Sequence, residues 1–144
     1  MSERTSSTIT VDAASAEVMR VIAAVEEYPE WTGSVRSVDV LESGADGRPL
    51  EATFRLDAGA VRDTYTLRYT WDGDREVSWT LVEAQILTSM NGCYRLTPIS
   101  DKQTGVDYEL TLDLKIPMIG LLRRKAEKVI TDTALKELKK RVEQ

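Results

Sequence analysis

The last 26 residues constrain the fold most. Ile119-Gly120-Leu121-Leu122-Arg123-Arg124-Lys125 through Gln144 read as one long amphipathic helix, and they follow six alternating, strand-like segments. A single helix that closes a run of antiparallel strands has to lay its apolar side on their sheet. At about 1.5 Å per residue it spans roughly 39 Å, enough to cross the whole sheet. A curved sheet that grips one helix leaves room for a cavity between them, which directs attention to apolar small molecules.

The strands are legible from their turns. Ser7–Val11 is a short β-branched strand. Ser15 is the expected cap of a helix whose apolar positions Val18, Val21, Ile22 and Val25 recur at helical spacing to about Glu27. Pro29 is expected to stop that helix and Tyr28 to turn the chain, before a short helical turn over residues 30–34. Six strands follow: Val35–Glu42, Leu50–Ala58, Val61–Trp71, Glu76–Glu83, Gln85–Pro98 and Val106–Ile116. Asp72-Gly73 is a strong hairpin signal, and turns this short make neighbours antiparallel.

Alternation assigns the inner faces. These are Ala52, Phe54, Leu56 and Ala58; then Val61, Asp63, Tyr65, Leu67, Tyr69 and Trp71; then Val77, Trp79 and Leu81. Thr88, Met90, Gly92, Tyr94 and Leu96 follow, and last Tyr108, Leu110, Leu112, Leu114 and Ile116. Val35–Glu42 is apolar on both faces and stays unassigned. Four inward tyrosines and Trp79 are unusual for a plain core, because each buried hydroxyl needs a partner at a cost of about 1–3 kcal/mol if it lacks one. They point to a cavity studded with polar groups. On the final helix, Ile119, Leu122, Ala126, Val129, Ile130 and Thr133 form one stripe, expected to lid the cavity with Ala126 at the closest approach. Leu135, Leu138 and Val142 form a second, expected to pack on other ground, the edge strand or the first helix.

Composition removes several functions. The chain has 144 residues, one ordinary domain, with a disordered lead expected over residues 1–7. The single cysteine, Cys93, rules out an internal disulfide and fits a reducing cytoplasm. A net charge of −5 disfavours nucleic acid. No apolar run is long enough for membrane insertion. The chain has no histidine, which removes the usual metal ligand and the base of Ser-His and Cys-His pairs. No metal and no cofactor are expected, and the chain reads as a cytoplasmic monomer or weak dimer. Asp63 is the one carboxylate on the assigned inner faces; near a strand start it is expected to be a solvated, end-of-sheet group, and it is the weak catalytic candidate. Glu137 is expected to face water. The basic cluster Arg123, Arg124, Lys125 and Lys128 reads as a solvated face or as a contact for a membrane or an acidic partner.

The order of elements resembles the helix-grip fold of the START-like (SRPBCC) superfamily. Tyr28-Pro29-Glu30-Trp31 is similar to its junction after the first helix. Asn91-Gly92-Cys93-Tyr94-Arg95-Leu96-Thr97-Pro98 and Thr104-Gly105-Val106-Asp107-Tyr108-Glu109-Leu110 resemble its last two strands. Pro117-Met118-Ile119-Gly120-Leu121-Leu122 resembles the entry to its last helix. The nearest branch looks like the polyketide cyclase/dehydrase and lipid-transport group, near coenzyme Q-binding relatives. The resemblance implies an α+β helix-grip domain over residues 8–144: a seven-stranded curved antiparallel sheet wrapped around a long C-terminal helix, with two short helices after strand one. It implies a lipid, quinone or polyketide-like ligand, carried or chemically changed. The expected ligand-binding residues are Tyr65, Tyr69, Trp79, Met90, Tyr94, Tyr108, Leu122, Ala126 and Ile130. Three roles are compatible: carrier of a hydrophobic molecule, which the aromatic inner face favours; polyketide cyclase or dehydratase; and protein or membrane interaction module.

Overall fold

The structure, a computed structural model, describes residues 5–57, 62–115 and 120–144, with the side chains of the final helix described from Arg123 onward. Strand β1 (Thr5–Val11) leads into helix α1 (Ser15–Ala23), a 3-10 turn (Val25–Glu27) and helix α2 (Tyr28–Trp31). Strands β2 (Val35–Ser43), β3 (Pro49–Asp57), β4 (Arg62–Asp72), β5 (Glu76–Ala84), β6 (Leu87–Ser100) and β7 (Gln103–Leu114) follow, and helix α3 (Gly120–Glu143) ends the chain. The sheet order is β1-β7-β6-β5-β4-β3-β2, antiparallel throughout. The chain therefore starts at one edge, crosses to the far edge through α1 and α2, and returns as a meander. α3 packs on β1 and β7 and also touches α1 and α2. This is the seven-stranded helix-grip architecture expected. Among the described residues no helix is long and apolar enough to cross a membrane.

Several local expectations are corrected. Thr5–Ser7 belong to β1, paired with Leu110, Glu109 and Tyr108, and not to a disordered lead. Ala14, not Ser15, is the N-cap of α1 and gives no side-chain cap; the Ser15 hydroxyl instead meets that of Thr104 at 3.2 Å. Pro29 opens α2 instead of ending a helix. A proline fits the first turn because its missing N–H has no acceptor there. Thr88 is exposed and Leu87 is buried, because a register shift between Leu87 and Ser89 flips the parity of that strand end. The same device explains the two-faced β2: a shift between Val35 and Ser37 brings Val35, Val38 and Val40 all against the core. Ala58, Val61, Ile116 and Ile119 lie outside the described residues.

α3 presents two faces along its length. One buries Glu127, Thr131, Leu135 and Leu138. The other carries Ala126, Ile130, Thr133, Ala134 and Glu137, rotated by roughly 120° at about 3.6 residues per turn. The buried face is polar at its start because a carboxylate does a strand's work there. Leu112 lies two residues beyond Leu110, the last β7 residue paired with the described part of β1. Its N–H donates to Glu127 Oε2 at 2.7 Å, and the Thr5 hydroxyl donates to Glu127 Oε1 at 2.6 Å. The second stripe read from the sequence is thus one end of this strip, and Leu135 and Leu138 sit in the main core.

The basic cluster is partly tied into the fold. Arg123 pairs with Asp113 at 3.1 Å, and Lys128 donates to the Ser7 hydroxyl at 2.9 Å and pairs with Asp132 at 3.3 Å.

Candidate functional site: a cavity between sheet and final helix

A cavity of about 240 Å³ lies between the concave face of the sheet and α3. Its floor is built from cross-strand pairs. Phe54 faces Tyr65, Tyr69 faces Trp79, and Tyr94 faces Tyr108 directly across neighbouring strands. Their rings form a continuous chain: Phe54 stacks on Tyr65 at 5.5 Å and meets Tyr69 at 6.5 Å, Tyr69 meets Trp79 at 6.0 Å, Trp79 meets Tyr94 at 5.5 Å, and Tyr94 meets Tyr108 at 4.5 Å. Contacts of this kind add about 0.5–1.5 kcal/mol per pair beyond the area they bury. Leu56, Leu67 and Met90 complete the floor. Val129, Ile130, Thr133, Ala134 and Glu137 of α3 form the roof, and Ile22, Tyr28, Trp31, Thr32, Ser34 and Val35 complete the lining. Val129 lines the cavity while 57% exposed, which marks an opening to the surface beside it.

The hydroxyls split into two groups. Tyr28 donates to the carbonyl of Ile22. Tyr65, Tyr69, Tyr94 and Tyr108 line the cavity with no hydroxyl hydrogen bond to a described residue. Burial, then the neighbouring phenols, pushes Tyr69 and Tyr94 well above the ordinary tyrosine range. Burial raises Tyr65 and Tyr108 as well, reinforced at Tyr65 by Tyr108 and Asp63 and at Tyr108 by Cys93. These phenols stay protonated and act as hydrogen-bond donors, not as bases. Trp31 Nε1 and Thr32 Oγ1 are shielded from solvent and have no partner among the described residues.

Glu137, expected to face water, lines the cavity. It is the only charged side chain of the described lining, and its Oε2 accepts the Gly33 N–H at 2.9 Å. The helical period already carried this signal, since Glu137 continues the stripe of Ile130 and Thr133.

Asp63 has a different role from the one its parity suggested. It is 7% exposed and lies outside the described lining. β5 and β6 pair only from Glu76–Arg95 to Trp79–Gly92 and then part. Asp63 reaches across that gap. Its Oδ1 accepts the N–H groups of Thr64 at 2.7 Å and Gln85 at 3.1 Å; its Oδ2 accepts those of Ile86 at 2.9 Å and Leu87 at 2.8 Å. Burial alone would raise its pKa. The four backbone donors outweigh that and hold the carboxyl below the usual range. A carboxylate so saturated is a clamp on the β5–β6 turn and a poor acid or base.

Of the other expected ligand residues, Tyr65, Tyr69, Trp79, Met90, Tyr94, Tyr108 and Ile130 come together around the cavity. Ala126 packs against the core one turn before Ile130, outside the described lining. The Leu122 side chain lies outside the described residues. Cys93 is buried on the opposite face, its thiol 3.5 Å from Glu109 Oε2. Among the described residues no group of histidine, cysteine, aspartate or glutamate is arranged to hold a metal.

Comparison with known proteins places this geometry. The family model described as polyketide cyclase / dehydrase and lipid transport matches residues 11–139. No curated protein matches the sequence. Among solved structures, a START superfamily protein from Mycobacterium smegmatis superposes with a TM-score of 0.91 at 20% identity, covering 98% of this chain and 97% of that one. The ZhuI aromatase/cyclase from Streptomyces sp. R1128 gives 0.79 at 18% identity, covering 99% and 94%. The di-domain ARO/CYC BexL from the BE-7585A biosynthetic pathway gives 0.77 at 22% identity, covering 98% of this chain and 46% of that one. At these identities the structural likeness speaks for the fold.

Proposed function

The chain belongs to the polyketide cyclase/dehydrase and lipid transport family, and from that premise we propose that it binds and carries a hydrophobic small molecule, of lipid, quinone or polyketide type, between sheet and α3. One observation carries the reading: an aromatic cavity whose four tyrosine hydroxyls meet no partner among the described residues. Such a site pairs apolar contact with a few fixed polar groups, which is what ligand pockets offer. Its volume of about 240 Å³ lies below the range of roughly 300–1,000 Å³ for such pockets, which favours a compact ligand. Tyr65, Tyr69, Trp79, Met90, Tyr94, Tyr108 and Ile130 are the proposed contact residues.

Native mass spectrometry of the purified protein, with solvent extraction of any bound compound, tests this. A thermal-shift panel of quinones, fatty acids and aromatic polyketides accompanies it. A co-purifying compound, or stabilisation by one class, supports the carrier. A clean mass and no shift across the panel overturn it.

Glu137 favours a second reading, ring closure or dehydration of a polyketide-like substrate, because it sets a carboxylate in a cavity lined by tyrosine hydrogen-bond donors. Turnover that is lost in Glu137→Gln while binding persists supports the enzyme. Turnover that persists in that variant contradicts it.

A further inference from the structure

Two tyrosines of the cavity floor stand side by side. Tyr94 of β6 and Tyr108 of β7 are direct partners across the strands, and their ring centroids lie 4.5 Å apart. Each is 6% exposed, and neither hydroxyl bonds to the other or to another described residue. Trp31 Nε1 and Thr32 Oγ1 are sealed off even from the cavity; the two phenol oxygens are not. A hydroxyl donor sits about 2.8 Å from the oxygen that accepts its hydrogen, so one oxygen can bridge two hydroxyls as much as roughly 5.6 Å apart. The paired strands fix both rings, so the two donors are in place before any ligand arrives. Tyr108 bears electrostatically on Tyr65, Tyr69 and Tyr94, which puts its hydroxyl at the centre of the phenol group. Glu137, whose Oε2 already accepts the Gly33 N–H, bears on Tyr94 from α3.

Resting on the carrier reading, we infer that Tyr94 and Tyr108 form a two-donor site that holds one carbonyl-type oxygen of the ligand, from a ketone or a carboxylate. Such an oxygen has two lone pairs and takes one hydrogen from each phenol. Neither hydroxyl gives up a described protein partner to do so, so both bonds are gained against water alone. A hydrocarbon of the same shape leaves both donors unpaired once it fills the cavity, and an unpaired buried donor is costly. Each bond is expected to be worth roughly threefold to tenfold in affinity. The two sources of the oxygen differ in charge. A carboxylate makes the stronger bonds. It also brings a like charge towards Glu137, and the described lining holds no lysine or arginine. A neutral ketone takes the same two donors without that opposition.

The test uses three probes on one ring system. Fluorene and 9-fluorenone differ only by a methylene in place of the carbonyl, and fluorene-9-carboxylate supplies the charged source. Quenching of tryptophan emission reads the binding. Fluorenone is expected to bind about tenfold to a hundredfold more tightly than fluorene. Tyr94→Phe and Tyr108→Phe keep the rings and remove only the hydroxyls. Each is expected to take away about threefold to tenfold of that gain and to leave fluorene unchanged. Either variant serves alone if the other fails to fold. The infrared carbonyl stretch of bound fluorenone is expected to lie below its position in an apolar solvent and to rise in each variant, which a purely structural role of the tyrosines would not produce. A gain over fluorene shown by the carboxylate alone, and removed by the same variants, also supports the site and assigns its oxygen to an acid. If neither oxygen-bearing probe outbinds fluorene, or the gain survives both variants, the inference is overturned and the carrier reading stands provided fluorene binds. Binding of none of the three overturns both.

Discussion

Trp79 rests its indole on Gly92, the residue directly opposite it on β6. A Cβ built on Gly92 comes within 2.9 Å of the Trp79 ring and 2.5 Å of the Glu109 carbonyl oxygen. The glycine is there for space, and the space lets an indole lie low in the cavity floor. Gly92→Ala forces the ring upward and strains β7. It is expected to cost about 1–3 kcal/mol, as overpacking of a filled interior does. Denaturant melts read the loss, and a changed tryptophan emission reports the displaced indole. An unchanged melt contradicts the close approach.

The Asp63 clamp carries a pH dependence with a definite sign. Its folded pKa is depressed, since four backbone N–H groups outweigh burial. Its contribution is therefore present above the unfolded value of about 3.9 and is lost as pH falls through the lower folded value. Asp63→Asn removes the charge that the four donors face, and is expected to cost on the order of 1–3 kcal/mol at neutral pH. The variant's deficit should shrink as pH falls below about 4. A deficit constant with pH contradicts the clamp.

Thr32 bears on the stability of the ligand-free protein. Its hydroxyl is buried without a described partner. Thr32→Val replaces that hydroxyl with a methyl of the same shape, and is expected to raise the stability of the ligand-free protein by about 1 kcal/mol. Thermal melts check this. Destabilisation by a comparable amount would mean that the hydroxyl is satisfied.

All five tyrosines of the chain, Tyr28, Tyr65, Tyr69, Tyr94 and Tyr108, have pKa values raised by burial. Groups raised in the folded state support folding fully below the unfolded value of about 10, and that support is lost as pH rises further. Tyrosinate absorbance is expected to appear in step with loss of circular dichroism on alkaline titration. Ionisation of even one tyrosine well before unfolding contradicts a closed aromatic floor.

The tyrosine floor was legible because strict alternation over β4 and β7 leaves only one apolar face to bury. Tyr65, Leu67 and Tyr69, and then Tyr108, Leu110 and Leu112, lie where that period puts them. What escaped the sequence was set by register and by polar pairing. Single-residue shifts at Leu87/Ser89 and Val35/Ser37 reverse parity without any residue that announces them. Glu127 reads as a surface glutamate on helical period, yet it is fully buried, because only the fold brings it to the N–H of Leu112. Asp63 was correctly turned inward. Its four backbone partners come from its own neighbour and from the β5–β6 turn more than twenty residues on, and no spacing rule reveals that contact.

Methyl-resolved NMR during titration with 9-anthracenemethanol, an apolar aromatic probe, locates the bound molecule between sheet and α3. Saturating shifts are expected at Met90, Ile130, Leu67 and Val35, which line the cavity. Leu41, Val82 and Ile99, exposed outside that lining, are expected to stay still. Shifts confined to those exposed methyls, or none at saturating probe, would contradict binding there.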